Sequence, residues 1–517
     1  SLTKNKFCKG IKHGRRYVCG GEADESAIDK AVDLLIEAVR RIQHWRVWET
    51  WWIEEAMDEW LMKRDKLEAQ LRGKYGDDVV NDLLRLVDKF ISYTEDFWRY
   101  WRNIGDEVRG IIEDIVNGRT EVIIRGNNAP GISIHGKYIT LNTDKTKTGT
   151  TIHLLLKGLK GISIEAPDIF IKTMKKEYDE FIEGILLALR AGLEETDGYV
   201  DYGKAAMNTN QIWQALLWSL LNYGYVHLHI NAVSVNKEDV ALTWQQRTDY
   251  NVMKDYIDIS IMENEAMLLG FILGMILGDG TVYIDRHNNQ PMIRIPMIAR
   301  RYRVLKSLLN KLYELGFYWR RYPRYESDIK ENTLVRIEFL SGNAVNIAKA
   351  IISAMPPLLQ DIFDALNIEK WMRLKQIAGM KLKYRVGESQ IDVAHISFSV
   401  NVMRSTIELK HYVKDASEIE KITKMLKTKY GDEFANNIRV NNGGNGRQVI
   451  VIPARLIEMY DDIKAQVIQV LCKKLEKSED EEKRQILIKH LTRLAPTKGT
   501  AAADHWQNLK NTKHAPK

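Results

Sequence analysis

The spacing of hydrophobic residues changes along this chain and divides it into segments of different secondary structure. From residue 22 to residue 118, apolar positions recur every three or four residues, which predicts helices. Alternating apolar positions then predict strands at Thr120–Arg125, Gly131–Leu141 and Thr151–Leu156. The chain therefore begins with a helical region that ends in short strands.

Tryptophan residues are concentrated in this helical region. Trp45, Trp48 and Trp52 are three or four residues apart, which places them on one face of a helix. We interpret this stripe as helix packing in a core, and base stacking on a nucleic acid is the alternative.

Beyond residue 166 the pattern predicts the same order of elements twice. The first copy has a helix, a strand-like region, a second helix and two further strands, at Phe170–Glu195, Tyr199–Lys204 with the run that follows it, Gln211–Tyr223, Val226–Val233 and Val240–Arg247. The second copy starts near Asn264 and adds a closing helix, its elements being a helix up to Asp279, strands at Thr281–Asp285 and Met292–Ile298, a helix at Tyr302–Leu315, strands at Phe317–Tyr325 and Leu334–Leu340, and a helix at Ala344–Ala354. Two tandem α-β-β-α-β-β repeats in an α+β protein indicate an internal duplication, and we expect the two repeats to be related by a pseudo-two-fold axis.

A third α/β unit follows Pro356-Pro357, but no Asp-Gly ends its first helix, so we interpret it as degenerate. We expect a charged helix and a disordered tail at the end of the chain. The predicted domains are a Trp-rich helical region ending in strands, the two repeats, the third unit and the C-terminal segment, with boundaries at 1–165, 166–255, 256–356, 357–475 and 476–517.

The composition of the chain indicates a polyanionic partner and gives no sign of a membrane-spanning segment. The 517 residues carry a net charge of +7, yet from Thr281 to Tyr325 ten Lys or Arg face only two acidic residues. Such a local excess is typical of a nucleic-acid surface. No apolar run is long enough to cross a bilayer, so no membrane partner is expected. Three cysteines favour reduced thiols, with a Cys8–Cys19 disulfide as the alternative, and indicate an intracellular protein, cytoplasmic or nucleoid-associated.

Two segments end an apolar helix in Asp-Gly: R-A-G-L-E-E-T-D-G at 190–198 and I-L-G-M-I-L-G-D-G at 272–280. Small residues four apart, Gly192 with Thr196 and Gly274 with Gly278, allow two helices to approach backbone to backbone. Asp197 and Asp279 would then lie close together at the negative ends of two helix dipoles. Two carboxylates held so close together repel each other, and a cation bound between them would relieve this repulsion. The alternative for each Asp-Gly is a simple helix-ending turn.

These motifs resemble the LAGLIDADG homing endonuclease family, in its double-motif monomeric type, with extra N- and C-terminal regions. The resemblance covers residues 170–355, and the polar Glu194-Glu195-Thr196 departs from the apolar motif of the family. It implies a site-specific double-stranded DNA endonuclease that acts as a monomer through its internal repeat. It also implies that Asp197 and Asp279 are catalytic and bind Mg²⁺, or another divalent cation such as Mn²⁺, together with the backbone carbonyls of Thr196 and Gly278.

The strands of both repeats alternate apolar residues with Arg, Gln, His and Tyr, which are side chains that can read base edges or contact phosphates. The expected nucleic-acid-binding residues are His227, His229, Gln245, Arg247, Arg294, Arg320, Tyr322 and Arg336 on strands, with Arg300 and Arg301 at a helix start. A merely solvated sheet face is one alternative, and zinc ligation by His227 and His229 is another.

Two other functions fit the same residues. The chain is alternatively a site-specific DNA- or RNA-binding protein, such as a maturase or regulator, with little or no cleavage and with intron RNA as a partner. It is otherwise a replication or maintenance factor of a mobile element, in which the Trp-rich helices form an interaction module.

Overall fold

The computed structural model describes residues 7–13, 16–125, 131–146, 149–173, 180–251, 264–285, 289–323, 328–380, 389–413, 416–442, 448–478 and 480–494. Over these residues the chain forms sixteen helices and twenty strands, so the expected α+β class is confirmed. It divides into two compact units, residues 1–279 with 351–372, and residues 280–350 with 373–517.

The elements up to residue 279 are β1 (Phe7–His13), β2 (Arg16–Glu22), α1 (Glu25–His44), α2 (Trp51–Leu71), α3 (Asp77–Val116), β3 (Val122–Arg125), β4 (Gly131–His135), β5 (Ile139–Thr146), β6 (Gly149–Leu156), β7 (Ile162–Ala166), α4 (Ile169–Thr173), α5 (Glu180–Thr196), β8 (Gly198–Asp201), β9 (Lys204–Thr209), α6 (Ile212–Leu221), β10 (Gly224–Val235), β11 (Val240–Asn251) and α7 (Glu265–Leu277).

The elements that follow are β12 (Thr281–Ile284), β13 (Pro291–Ile298), α8 (Ala299–Glu314), β14 (Arg320–Tyr322), β15 (Leu334–Leu340), α9 (Gly342–Ala354), α10 (Pro357–Ala365), α11 (Glu369–Ala378), β16 (Gln390–Val393), β17 (Ile396–Val402), β18 (Ile407–Val413), α12 (Ala416–Tyr430), α13 (Asp432–Asn437), β19 (Arg439–Asn442), β20 (Gln448–Pro453), α14 (Ala454–Met459), α15 (Asp461–Lys477) and α16 (Glu481–Arg493).

One eleven-stranded sheet dominates the first unit, in the order β2-β1-β3-β4-β5-β6-β10-β11-β9-β8, with β7 paired to β10. Strand β10 joins the two parts of this sheet, because it pairs β7 through Gly224–Leu228 and β6 through Ala232–Ser234. The sheet therefore runs without interruption across the boundary expected at residue 165. The sequence pattern did not predict β1 and β2.

Helices α2 and α3 bury an aromatic cluster against β11. The rings of Trp60 and Phe90 stack at a centroid distance of 4.7 Å, and both contact Trp244 edge-on. Trp52 is buried and packs edge-on against Trp101. The prediction of core packing is confirmed for Trp52. The prediction that Trp45, Trp48 and Trp52 share one helical face is wrong, because α1 ends at His44, α2 begins at Trp51, and Trp45 and Trp48 lie half-buried in the turn between these helices.

The second unit contains a four-stranded sheet, β12-β13-β15-β14, and a five-stranded sheet, β16-β17-β18-β20-β19. Within the five-stranded sheet, the strands β17, β18, β20 and β19 lie side by side in that order, so the third and fourth strands along the chain exchange places in the sheet. The four-stranded sheet has this order, and so do β8, β9, β11 and β10 of the first unit. A helix lies between the second and third strands in all three cases.

Two local predictions in the second unit are wrong. Of the strand expected at Phe317–Tyr325, the described residues form only β14, at Arg320–Tyr322, because residues 317–319 precede it without strand structure and residues 324 and 325 lie outside the described part of the chain. The strand expected at Val393–Val400 is a hairpin, since Ala394 and His395 have φ of 52° and 65° and turn the chain between β16 and β17. Positive φ at both positions is typical of the two-residue turns that suit the twist of a hairpin, and neither residue type signals it in sequence.

A buried carboxyl group lies beside this hairpin. The hydroxyl of Tyr313 donates to Oδ1 of Asp392 at 3.0 Å, and Gln466 brackets the Asp392 backbone with two hydrogen bonds of 3.0 Å. Burial raises the pKa of Asp392 to about 6, against the opposing effect of the Tyr313 hydrogen bond.

Several expectations lie outside the described residues. They are the tail beyond Leu494, the middle of the helix expected at Phe170–Glu195, and Arg286 and Arg324 of the basic window. Cys8 is disulfide-bonded, so the expectation of reduced thiols is wrong for it, whereas Cys472 is free and buried. In the part of the chain that is described, no helix has the length and apolar character needed to cross a membrane.

Candidate functional site

The helices that carry the two Asp-Gly motifs, α5 and α7, pack against each other backbone to backbone. A Cβ on Gly274 would lie 2.7 Å from the backbone nitrogen of Leu193, and a Cβ on Gly192 would lie 2.9 Å from the carbonyl carbon of Phe271. Atoms at such distances overlap, so only glycine permits this approach at either position. The close approach expected from the small-residue spacing is confirmed.

Helix α7 can occupy the middle of the unit because its ten residues from Leu268 to Leu277 are all apolar or glycine and all are buried. A helix that is hydrophobic all round is a core helix. It begins at Asn264, whose side chain accepts hydrogen bonds from the backbone nitrogens of Ala266 and Met267 at 2.8 and 3.3 Å. The cap at one end and the glycine contacts along its length fix where its C-terminal Asp279 lies.

The packing brings Asp197 and Asp279 together at the C-terminal ends of the two helices. A Cβ on Gly278, the residue before Asp279, would lie 2.9 Å from Oδ2 of Asp197. Burial raises the pKa of Asp197, and the negative charge of Asp279 raises it further. The two residues, called the carboxylate pair below, are therefore close enough to repel each other.

Gln214 holds one member of the pair, and sequence reasoning missed it. Its amide nitrogen donates to Oδ2 of Asp197, while its amide oxygen accepts from the hydroxyl of Thr209. The hydrogen bond from Gln214 lowers the pKa of Asp197 and so favours the charged carboxylate. The signal that could have found it is its position in α6, where Gln214 and Ser219 are the two polar residues of a buried helix that is otherwise apolar.

Lys370 is the second residue that sequence reasoning missed. Its ammonium group, carried by α11, donates to the backbone carbonyls of Leu277 at 2.8 Å and of Gly278, the last two residues of the motif before Asp279. Burial lowers the pKa of Lys370, while Asp197 and Asp279 act in the opposite direction. No spacing in the sequence connects this lysine with residues more than ninety positions earlier.

The donor set at this site suits a hard divalent cation. Two carboxylates and the carbonyl of Gly278 are oxygen ligands of the kind that Mg²⁺ and Mn²⁺ prefer. The hydroxyl of Thr196 bonds to the carbonyls of Leu193 and Gly192, at 3.0 and 3.3 Å, and stays within its helix. Among the described residues, no cluster of three or more His, Cys, Asp or Glu side chains could hold a metal, so any cation here would depend on the pair, carbonyls and water.

The expected nucleic-acid residues of the first unit lie on the outer face of β10 and β11, and Arg247, Gln245 and His229 each bond to a neighbour. Arg247 forms a salt bridge of 3.3 Å with Asp201, and Gln245 donates to the Tyr199 hydroxyl at 2.7 Å. His229 bonds through Nε2 to the carbonyl of Leu159 at 3.0 Å. Among the described residues, neither His227 nor His229 belongs to a cluster of three or more His, Cys, Asp or Glu side chains that could hold a metal. His227 is half-buried, and burial lowers its pKa.

In the second unit, the outer face of the four-stranded sheet carries the expected arginines and tyrosines in cross-strand rows. Arg294 and Arg320 both lie opposite Glu338, and Pro296 and Tyr322 both lie opposite Arg336. The guanidinium of Arg294 pairs with Glu338 at 2.7 Å, whereas that of Arg336 lies 4.3 Å from the ring centroid of the exposed Tyr322. The opposite face is apolar and buried, as the alternation predicts, through Val282, Ile293, Ile295, Met297, Val335, Ile337 and Phe339.

Helix α8 begins with an unfavourable arrangement of charge. Arg300, Arg301 and Arg303 lie in or next to its first turn, which has no acidic residue. Cations near a helix N-terminus oppose its dipole. Arg300 and Arg303 are exposed, and Arg301 is partly exposed. A helix start that is costly for stability but rich in arginine is suited to a phosphate backbone.

Neither a scan against protein-family models nor a search of curated proteins finds a match to this chain. Any functional assignment therefore depends on the residues of the site themselves.

Proposed function

We propose that this protein is a site-specific double-stranded DNA endonuclease of the LAGLIDADG type that depends on Mg²⁺ or Mn²⁺. The observation that carries the proposal is the glycine-mediated packing of α5 and α7, which brings the half-buried Asp197 and the exposed Asp279 to the same end of the helix pair. Close-packed helices ending in paired carboxylates suit the binding of a cation and a phosphate. A simple helix-ending turn would need neither the packing nor the second carboxylate.

In this proposal the carboxylate pair holds the cation, with the carbonyls of Gly278 and Thr196 as further ligands. The bound cation would polarise the scissile phosphate and lower the pKa of an attacking water. Gln214 orients the Asp197 carboxylate through its hydrogen bond and, by lowering the pKa of Asp197, partly offsets the effects of burial and of Asp279 that favour the neutral form.

Recognition of DNA is assigned to the outer sheet faces and to the start of α8. Arg336 and Tyr322 present a guanidinium and an aromatic ring side by side on the face that the helices do not cover. Arg300, Arg301 and Arg303 would contact phosphates and position the protein without reading sequence. The shared strand order of β8, β9, β11 and β10 and of β12, β13, β15 and β14 supports our proposal that the two groups arose by duplication and act as one monomer.

The decisive experiment is the replacement Asp279→Asn, with Asp197→Asn as its counterpart. Each removes one charge from the pair and nearly preserves shape, so each should abolish metal-dependent strand cleavage. Binding should persist or tighten, because less negative charge then faces the phosphates. The target is first obtained by incubating the protein with a DNA library and Mg²⁺ and sequencing cut ends and bound fragments.

Glu265→Gln is the matched control, since it removes one negative charge from the exposed, opposite end of the same helix. It should cleave as the wild type does. Cleavage by Asp279→Asn at the wild-type rate would refute the metal-site assignment.

Lys370 favours a second candidate, a site-specific DNA- or RNA-binding protein without cleavage. Its ammonium already neutralises part of the negative charge at the end of α7. A protein that only binds nucleic acid would need no further cation. A wild type that binds a defined duplex but cuts it with neither Mg²⁺ nor Mn²⁺ would establish this alternative.

A further inference from the structure

The ammonium group of Lys370 lies where the motif backbone ends, and the negative charges of both members of the carboxylate pair act on it. It donates to the carbonyls of Leu277 and Gly278, and the latter is one of the oxygens expected to bind the metal. The charges acting on Lys370 are those of Asp197, Asp279 and the adjacent Glu369. The positive charge of Lys370 therefore lies close to the position at which a divalent cation would bind.

We propose that Lys370 is the internal counter-ion of the carboxylate pair and that it competes with divalent cations for this site. It stabilises the metal-free protein and weakens its affinity for Mg²⁺ or Mn²⁺. The inference takes from the proposed function only that the pair is a cation site, and it does not require that DNA is cut.

The physical basis is the repulsion between a fixed ammonium and an entering divalent ion. A unit charge and a divalent charge about 6 Å apart repel, even with the screening of bulk water, by enough to change an equilibrium constant about tenfold. Asp197 and Lys370 are half-buried, where screening is weaker than in bulk water, and Asp279 is exposed, so we take about tenfold as the expected size of the effect. The lost hydrogen bond to Gly278 acts in the same direction, because it frees the carbonyl to bind the cation.

The test is Lys370→Met, which keeps most of the apolar stem and removes the charge. The affinity for Mn²⁺ is measured by isothermal titration calorimetry without nucleic acid, and the melting temperature is recorded over a Mn²⁺ series. The variant should melt below the wild type in metal-free buffer, bind Mn²⁺ about tenfold more tightly, and gain more in melting temperature from saturating Mn²⁺.

Lys63→Met is the matched control. Lys63 is also largely buried, lies in the same unit, and donates to a helix-end carbonyl, that of Leu366, at 3.1 Å. Its loss should destabilise the protein without altering Mn²⁺ affinity. The variant Lys370→Arg keeps the positive charge and should bind Mn²⁺ as weakly as the wild type.

A Mn²⁺ affinity of Lys370→Met that is equal to or weaker than that of the wild type would overturn the proposal, and so would the absence of Mn²⁺ binding in both. If Lys370→Met does not fold in metal-free buffer, folding driven by Mn²⁺ supports the proposal. Failure of both Lys370→Met and Lys370→Gln to fold at any Mn²⁺ concentration overturns it, since the lysine is then purely structural. None of these outcomes depends on cleavage, so a failed endonuclease assay remains a separate result.

Discussion

Replacing Gly274 by alanine should push the two motif helices apart and destabilise the protein. The same replacement at Gly110 should stabilise it. Both glycines lie inside helices, Gly274 in α7 and Gly110 in α3. A Cβ on Gly110 would have no atom within 4 Å, whereas one on Gly274 would overlap the backbone of Leu189, Gly192 and Leu193. The two variants thus add the same methyl group, once where there is space for it and once where backbone atoms already occupy the space.

The magnitudes follow from two opposing contributions. Alanine is favoured over glycine in a helix interior by about 1 kcal/mol. Overpacking a core typically costs about 1–3 kcal/mol, and the upper end applies here because the blocking atoms are backbone and cannot rotate away. We therefore expect Gly110→Ala to be stabilised by up to about 1 kcal/mol and Gly274→Ala to be destabilised by about 2 kcal/mol.

Urea denaturation followed by circular dichroism measures both free energies of unfolding. The carboxylate pair gives a second readout, because a displacement of about 1 Å at a reacting centre can reduce a rate by about 100-fold. Cleavage, once a target is known, should therefore fall far more in Gly274→Ala than in Gly110→Ala. Equal stability of the two variants would refute the backbone-to-backbone packing on which the site depends.

Two further predictions concern the second unit. Arg336→Ala should cost roughly 1–3 kcal/mol of binding free energy and relax specificity at one base position, whereas Arg303→Ala should weaken the binding of all sequences alike and reduce its salt dependence. A binding selection at two ionic strengths measures both effects. Unchanged binding in both variants would mean that the basic surface is only solvated and does not contact DNA. Asp392 has a folded pKa raised to about 6, so its bound proton stabilises the native state at low pH and this stability is lost as the pH rises from about 4 to about 6. The free energy of unfolding of Asp392→Asn, measured by urea denaturation, should equal that of the wild type near pH 4 and exceed it at pH 7 by up to roughly 3 kcal/mol. A difference between the two proteins that does not change with pH would contradict the burial of the charged group.

Local pattern predicted much of this fold, and contacts distant in sequence account for what it did not predict. The alternation on β13 and β15 and the glycine spacing in α7 depend on neighbours within one element, so their burial was predictable. The joining of β6 and β7 to β10 depends on pairs between 58 and 81 residues apart, and no local pattern carries that information. Gln214 was detectable as a polar residue in an apolar helix, but Lys370 was not, because its partners are carbonyl groups.

The electrostatics of the motif helices limit what the site can do with a nucleic acid. Two helix C-termini and two carboxylates concentrate negative charge at one point, and a phosphate group would add more. Gln214 and Lys370 offset this charge only in part, since the repulsion from Asp279 still raises the pKa of Asp197. If a scissile phosphate enters the site, it must therefore do so with a cation or after one. Affinity for the target duplex and affinity for the divalent ion should accordingly rise together in the wild type, and Asp279→Asn should remove this coupling while leaving the binding of DNA.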